Sequence, residues 1–135
     1  MHTVSTQQLI HRAWKTGTAI PGFNIPYLPM VEPTVRAIRD ANSFGLIMVA
    51  RLEWEKFDSG SLEAVRDEYL KHRDSAHTRL HLDHVPVVDE DDRHVDYAEI
   101  IGRAIDAGYE SVMVDGSRLP LEENIARTRE IAKLA

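Results

Sequence analysis

Apolar residues along this chain alternate between stretches at helical spacing and short runs of strand length, and that alternation predicts the architecture. Ser5 followed by Gln8 forms a capping-box signature, and Leu9, Ile10, Ala13 and Trp14 make a stripe that ends before Gly17. This is a short opening helix. Ala19 to Ile25 reads as a first strand limited by Pro26 and Pro29, and a helix opening at Pro33 carries Val31, Val35, Ile38 and Ala41 on one side before stopping near Asn42 to Gly45. Leu46-Ile47-Met48-Val49-Ala50 is a continuous apolar run, the pattern of a strand covered on both faces.

Helical pattern resumes directly after Ala50, and Ser61 can cap a helix that carries Leu62, Val65, Tyr69 and Leu70. Thr78 to His84 reads as the third strand. Asp96 caps a helix with Tyr97, Ile100, Ile101, Ala104 and Ile105 at helical spacing, stopped by Gly108. Ser111-Val112-Met113-Val114 is a fourth strand, and Pro120 opens a last helix with Leu121, Ile125, Thr128, Ala132 and Ala135 on one face. Four strand-then-helix units with no hairpin signal between them imply a parallel α/β sheet with right-handed crossovers. Two architectures satisfy this order: a free-standing flavodoxin-like sheet, whose acidic strand ends would bind magnesium, or the amino-terminal half of a (β/α)8 barrel. The charged run Asp89 to Arg93 reads as a solvated loop, and Trp54 as packing or loop cover.

Composition narrows the function. At 135 residues the chain suits a single region rather than two domains. A net charge of -6 and a pI near 5.6 argue against a nucleic-acid partner, because phosphate binding needs a concentrated basic face. No apolar run approaches the ~20 residues of a membrane span. There is no cysteine, so any metal must be held by His, Asp or Glu. Met1-His2-Thr3-Val4 lacks the basic and apolar regions of a secretory leader, and a reducing cytoplasm is the expected compartment.

The candidate chemistry lies at the carboxyl ends of the strands, where α/β proteins place their sites. His81-Leu82-Asp83-His84 ends the third strand and Asp115-Gly116-Ser117 closes the fourth. His84 and Asp115 are metal ligands by type, and Asp83 is a carboxylate placed to transfer a proton beside a metal-bound substrate. Adjacent side chains on a regular strand point to opposite faces, so Asp83 and His84 can share a pocket only if the strand turns there. Asn24, at the end of the first strand, is offered as a substrate-side polar group by position. The ordinary readings stand beside these. A histidine cluster is more often surface or satisfied core than ligand, Asp-Gly is common turn chemistry, and Glu122-Glu123 is favourable placement against a helix dipole.

Taken together, Gly22-Phe23-Asn24, His81-Leu82-Asp83-His84, Ser111 to Ser117, Leu119 to Ile125 and Thr128 resemble the class II, metal-dependent fructose-bisphosphate aldolases, a family that includes tagatose-bisphosphate aldolases. The resemblance implies a (β/α)8 barrel in which Asp83 is the catalytic acid/base, His84 binds the zinc, or another divalent ion, and Asp115 belongs to an alternative or second metal position. It implies aldol cleavage or condensation of a ketose (bis)phosphate. Ala50 and Arg51 stand where the family usually has a substrate-binding Ser, and Val85 where a small residue often follows the motif.

Such a barrel takes about 250 residues, and the family's remaining Glu and His ligands come from strands beyond the third. The expectation is therefore four βα units preceded by a short helix over residues 1–135, from a truncated, split or incomplete gene and inactive alone. The alternative is a non-catalytic half-barrel that serves as an assembly or binding module. Either form would leave two sheet edges open, so a second copy or a complementing carboxyl-terminal half is the expected partner.

Overall fold

The computed structural model describes residues 4–135; Met1 to Thr3, on which the leader reading partly rests, lie outside the described residues. The chain runs α1 (Thr6–Thr16), β1 (Gly22–Asn24), a 3-10 turn (Leu28–Met30), α2 (Val31–Asp40), β2 (Gly45–Ala50), α3 (Arg51–Lys56), α4 (Leu62–His72), β3 (Thr78–Pro86), α5 (Tyr97–Asp106), β4 (Ser111–Asp115) and α6 (Leu121–Leu134). The strands form one sheet in the order β1-β2-β3-β4, every neighbouring pair parallel.

The capping signals act as expected. Ser5 Oγ accepts from Gln8 N at 3.2 Å while Gln8 Oε1 accepts from Ser5 N at 3.0 Å, and Gly17 closes α1 at φ 64°. Ser61 and Asp96 cap α4 and α5 by accepting from the amides of Ala64 and Glu99, without the reciprocal bond. One face of the sheet packs on helices: Ile47, Val49, Leu80, Leu82 and Val85 share a core with Val35, Ile38, Val65, Tyr69, Ile101 and Ala104. Each fully buried side chain of this size contributes roughly 1.5–3 kcal/mol, so this layer anchors the sheet and leaves its other face free. That other face carries the alternate residues Arg79, His81 and Asp83 of β3, with Leu46 and Met48 beside them on β2.

Several expectations need correction. β1 pairs over only three residues rather than Ala19 to Ile25, because Pro21 and Pro26 lack the N–H a longer ladder needs. α2 starts at Val31, two residues before Pro33. The 3-10 turn leads into it directly, and the first four helical amides have no intrahelical partner, so the missing N–H of Pro33 costs no bond. β3 continues past His84 to Pro86. In the run Asp89 to Arg93, residues 90–93 are exposed as a solvated loop should be, but Val88 bridges His94 and the Asp89 side chain is only 3% exposed. Its Oδ1 accepts from the amides of Asp91 (3.0 Å) and Arg93 (2.9 Å), which holds its carboxyl below the usual range. The predicted stripe of α6 is uncovered, with Leu121 73% exposed and Ile125 45% exposed, while Ile131 makes the core contact.

Candidate active site

β3 delivers the site through a bulge. Its register against β4 shifts between Leu82 and Val85, and His84 takes a left-handed φ of 39°. Leu82 and Val85 both face the helices and are fully buried. One extra residue therefore fits between them, and Asp83 and His84 both reach the opposite side. A regular strand would have sent one of the two into the core. The sequence expectation required a turn at this point; the strand supplies a bulge and carries on.

Asp83 is held by its neighbours. Asn24, on β1, donates Nδ2–H to Asp83 Oδ2 at 3.1 Å and to Glu53 Oε2 at 3.3 Å. Asp83 Oδ1 lies 3.8 Å from His81 Nε2 and 3.9 Å from His84 Nε2. His81 is pinned below by a 2.7 Å contact between its Nδ1 and Ser111 Oγ, and burial holds its pKa down, which favours the neutral ring. His84 is 55% exposed, and its Nδ1 lies 2.9 Å from Asp115 Oδ2. That hydrogen bond raises the pKa of His84. Burial works to raise the Asp115 carboxyl, but the bonds from His84 and Ser117 bring it below its ordinary value.

All four sequence-predicted site residues, Asn24, Asp83, His84 and Asp115, line a cavity of about 620 Å³ at the carboxyl ends of the strands. Glu53 lines it too, and the sequence reading passed over it. The signal was present: an acid three residues beyond a strand-ending Ala50, where a helix begins, is half of a capping box. Glu53 Oε2 accepts from Ala50 N at 2.6 Å, and burial, opposed by this bond and the one from Asn24, raises its carboxyl pKa, with the Asp83 charge adding to the rise. Arg51 and Arg118 border the same cavity, each tied to Asp89, Arg51 through the carboxylate at 3.4 Å and Arg118 through the main-chain oxygen.

A catalytic zinc takes three protein ligands. His84 and Asp115 supply two donors, which here bond each other, and among the described residues no group of three or more His, Cys, Asp or Glu side chains is placed to hold an ion. The donor set of this chain alone does not fit a complete zinc site.

A four-stranded parallel βα sheet with imidazole and carboxylate groups at its carboxyl rim has the architecture of a segment of an α/β barrel. The family described as fructose-bisphosphate aldolase class-II matches residues 4–135, and the chain belongs to it. It is 29% identical over 135 residues to the D-tagatose-1,6-bisphosphate aldolase subunit GatY of Klebsiella oxytoca, covering 100% of this chain and 44% of that protein. It is 31% identical over 137 residues to a fructose-bisphosphate aldolase of Treponema pallidum (strain Nichols), covering 98% of this chain and 38% of that one. A solved structure from Coccidioides immitis, provisionally assigned as a fructose-1,6-bisphosphate aldolase, superposes with a TM-score of 0.67 at 26% identity, over 95% of this chain and 46% of that chain. The chain thus spans less than half the length of these relatives. Among the described residues no helix is long and apolar enough to cross a membrane.

Proposed function

We propose that this chain carries the proton-transfer side of a metal-dependent aldolase that cleaves, and in reverse condenses, a ketose (bis)phosphate in the cytoplasm. The observation that carries the reading is the bulge that turns Asp83 and His84 to one side of β3, with Asp83 fixed by Asn24. In cleavage, the Asp83 carboxylate takes the proton from the substrate hydroxyl that becomes the aldehyde, and the carbon–carbon bond pair passes to the carbonyl fragment as an enediolate. Asp83 returns the proton in condensation. Asn24 contributes to holding the substrate. A zinc or other divalent ion, held by His84 with Asp115 in reach and completed by ligands from outside these residues, would polarise the ketose carbonyl.

The missing ligands make the isolated chain inactive. It needs the strands that lie beyond residues 4–135 in its relatives. The exposed apolar side chains on the two edge strands, Phe23 at 40% and Met113 at 37%, and on α6, Leu121 at 73%, favour assembly with such strands, and they equally support a second reading as a non-catalytic half-barrel module.

The test is aldol cleavage of fructose and tagatose 1,6-bisphosphates with zinc, by the chain alone and by the chain joined to the remaining strands of the Klebsiella oxytoca relative. Turnover only in the completed barrel is expected. Zinc-dependent turnover by the isolated chain overturns the dependence on a second half, and none in a folded, zinc-loaded barrel favours the module.

A further inference from the structure

Glu53 is a buried acid, 8% exposed, at the edge of a site whose proposed chemistry needs only one carboxylate base. Its Oε2 accepts two hydrogen bonds, from Ala50 N and from Asn24 Nδ2. The same Asn24 nitrogen donates to Asp83 Oδ2. A primary amide nitrogen carries two hydrogens and ionised carboxylates only accept. With one hydrogen on each carboxylate, the amide has a single workable orientation. Flipping it would set its carbonyl oxygen against two acids. The Oδ1 atom is consequently turned away from both acids and has no hydrogen-bond partner among the described residues, while Asn24 itself lines the rim cavity.

We propose that Glu53 is a positioning residue: it locks the Asn24 side chain with its NH2 group between the two acids, and through that amide fixes the Asp83 carboxylate. This rests on the aldolase reading for what Asp83 does once held. The lock exists whether or not that reading holds. Its position on α3 explains why the short helix is there. The bond to Ala50 N starts the helix, and the bond to Asn24 ties that start to β1, so three successive units meet at one amide.

The experiment follows the Asn24 side-chain NH2 by nitrogen-15 NMR in the full chain without metal. In the wild type its two protons should give separate signals and exchange with solvent at least tenfold more slowly than a free side-chain amide. Glu53→Gln, whose carbonyl oxygen can accept both bonds, should keep that protection. Glu53→Ala should lose it. A role confined to capping α3 would move the Ala50 backbone amide in Glu53→Ala and leave the Asn24 signal unchanged, which overturns the proposal. Should Glu53→Ala not fold, the native chain decides alone: Asn24 protons exchanging at the free-amide rate overturn the lock. No readout here depends on turnover, so a barrel that fails to cleave sugar phosphates would count against the aldolase reading without touching the lock.

Discussion

At the amino end of β3, Arg79 is 2% exposed and donates to the main-chain oxygens of Ser75, Thr78 and Val4, with its Nε 3.0 Å from Glu110 Oε2 and its guanidinium 5.6 Å over the Phe44 ring. At the carboxyl end of the same strand face, four residues on, Asp83 shares one amide with Glu53, and His84 stands 55% exposed on a left-handed backbone. Both clusters place charge on the sheet face away from the main core. The first buries its charge, bonds both terminal nitrogens to main-chain oxygens and sets Nε at ion-pair distance from Glu110. The second leaves imidazole and carboxylate open to a cavity and stores strain at His84, the pattern expected of a site rather than a brace. The contrast says where this chain spends its stability and where it gives it up.

Loss of the Asp83 carboxylate should have the largest effect, and it should fall on chemistry. In the barrel completed with a relative's remaining strands, Asp83→Asn should lower kcat about a thousandfold, within the range for removing a positioned acid/base, with bound metal retained. Its urea unfolding free energy should stay near the wild-type value. Equal loss of metal would make Asp83 a ligand instead.

Arg79→Ala tests the opposite end. Removing this buried guanidinium leaves three main-chain oxygens short of donors, while the quarter-exposed Glu110 keeps Arg73 and Thr6, and about 2 kcal/mol of stability should go. Urea denaturation of the isolated chain measures it, and a loss under about 1 kcal/mol would make this end ordinary surface. His84→Gly should shift stability by less than about 1 kcal/mol, because relief of the left-handed φ offsets the lost bond to Asp115. A larger loss would mean the rim braces the fold as the other end does.

The two ends also differ in how well the sequence announced them. Alternation and caps located the strands and helices, because Ser5, Ser61 and Asp96 act over three residues, within reach of local reading. Asp83, His84 and Asp115 were legible because strand ends concentrate chemistry and because their motifs resemble a family. The bulge was not: it is a register event between β3 and β4, set by how Leu82 and Val85 both reach the core. Asp89 was misread for a related reason. Its burial depends on Arg51, from the start of α3, and Arg118, from the loop after β4, arriving beside it. The capping bond of Glu53 to Ala50 was within local reach, but its link to Asn24 spans 29 positions and that of Arg79 to Glu110 spans 31.

The smallest effect concerns Glu53 and carries a sign. Burial raises its carboxyl pKa above the ordinary value of 4.5, so folding favours the protonated form. A group raised in this way contributes stability that is full below its unfolded pKa and is lost as pH rises through the folded one. Glu53→Gln is uncharged at every pH and lacks this dependence. The unfolding free energy of the wild type minus that of Glu53→Gln should therefore increase as pH falls from 7 towards 4, measured by urea titration in parallel. The direction separates two accounts of the residue. If Glu53 were chiefly a charged helix cap, as the 2.6 Å bond to Ala50 alone would suggest, ionisation would help the fold and the difference would shrink on acidification. If it is a buried acid held near Asp83 to keep Asn24 in place, the fold bears a cost at neutral pH that acid removes, as the open end of β3 bears the strain at His84 and the closed end at Arg79 does not.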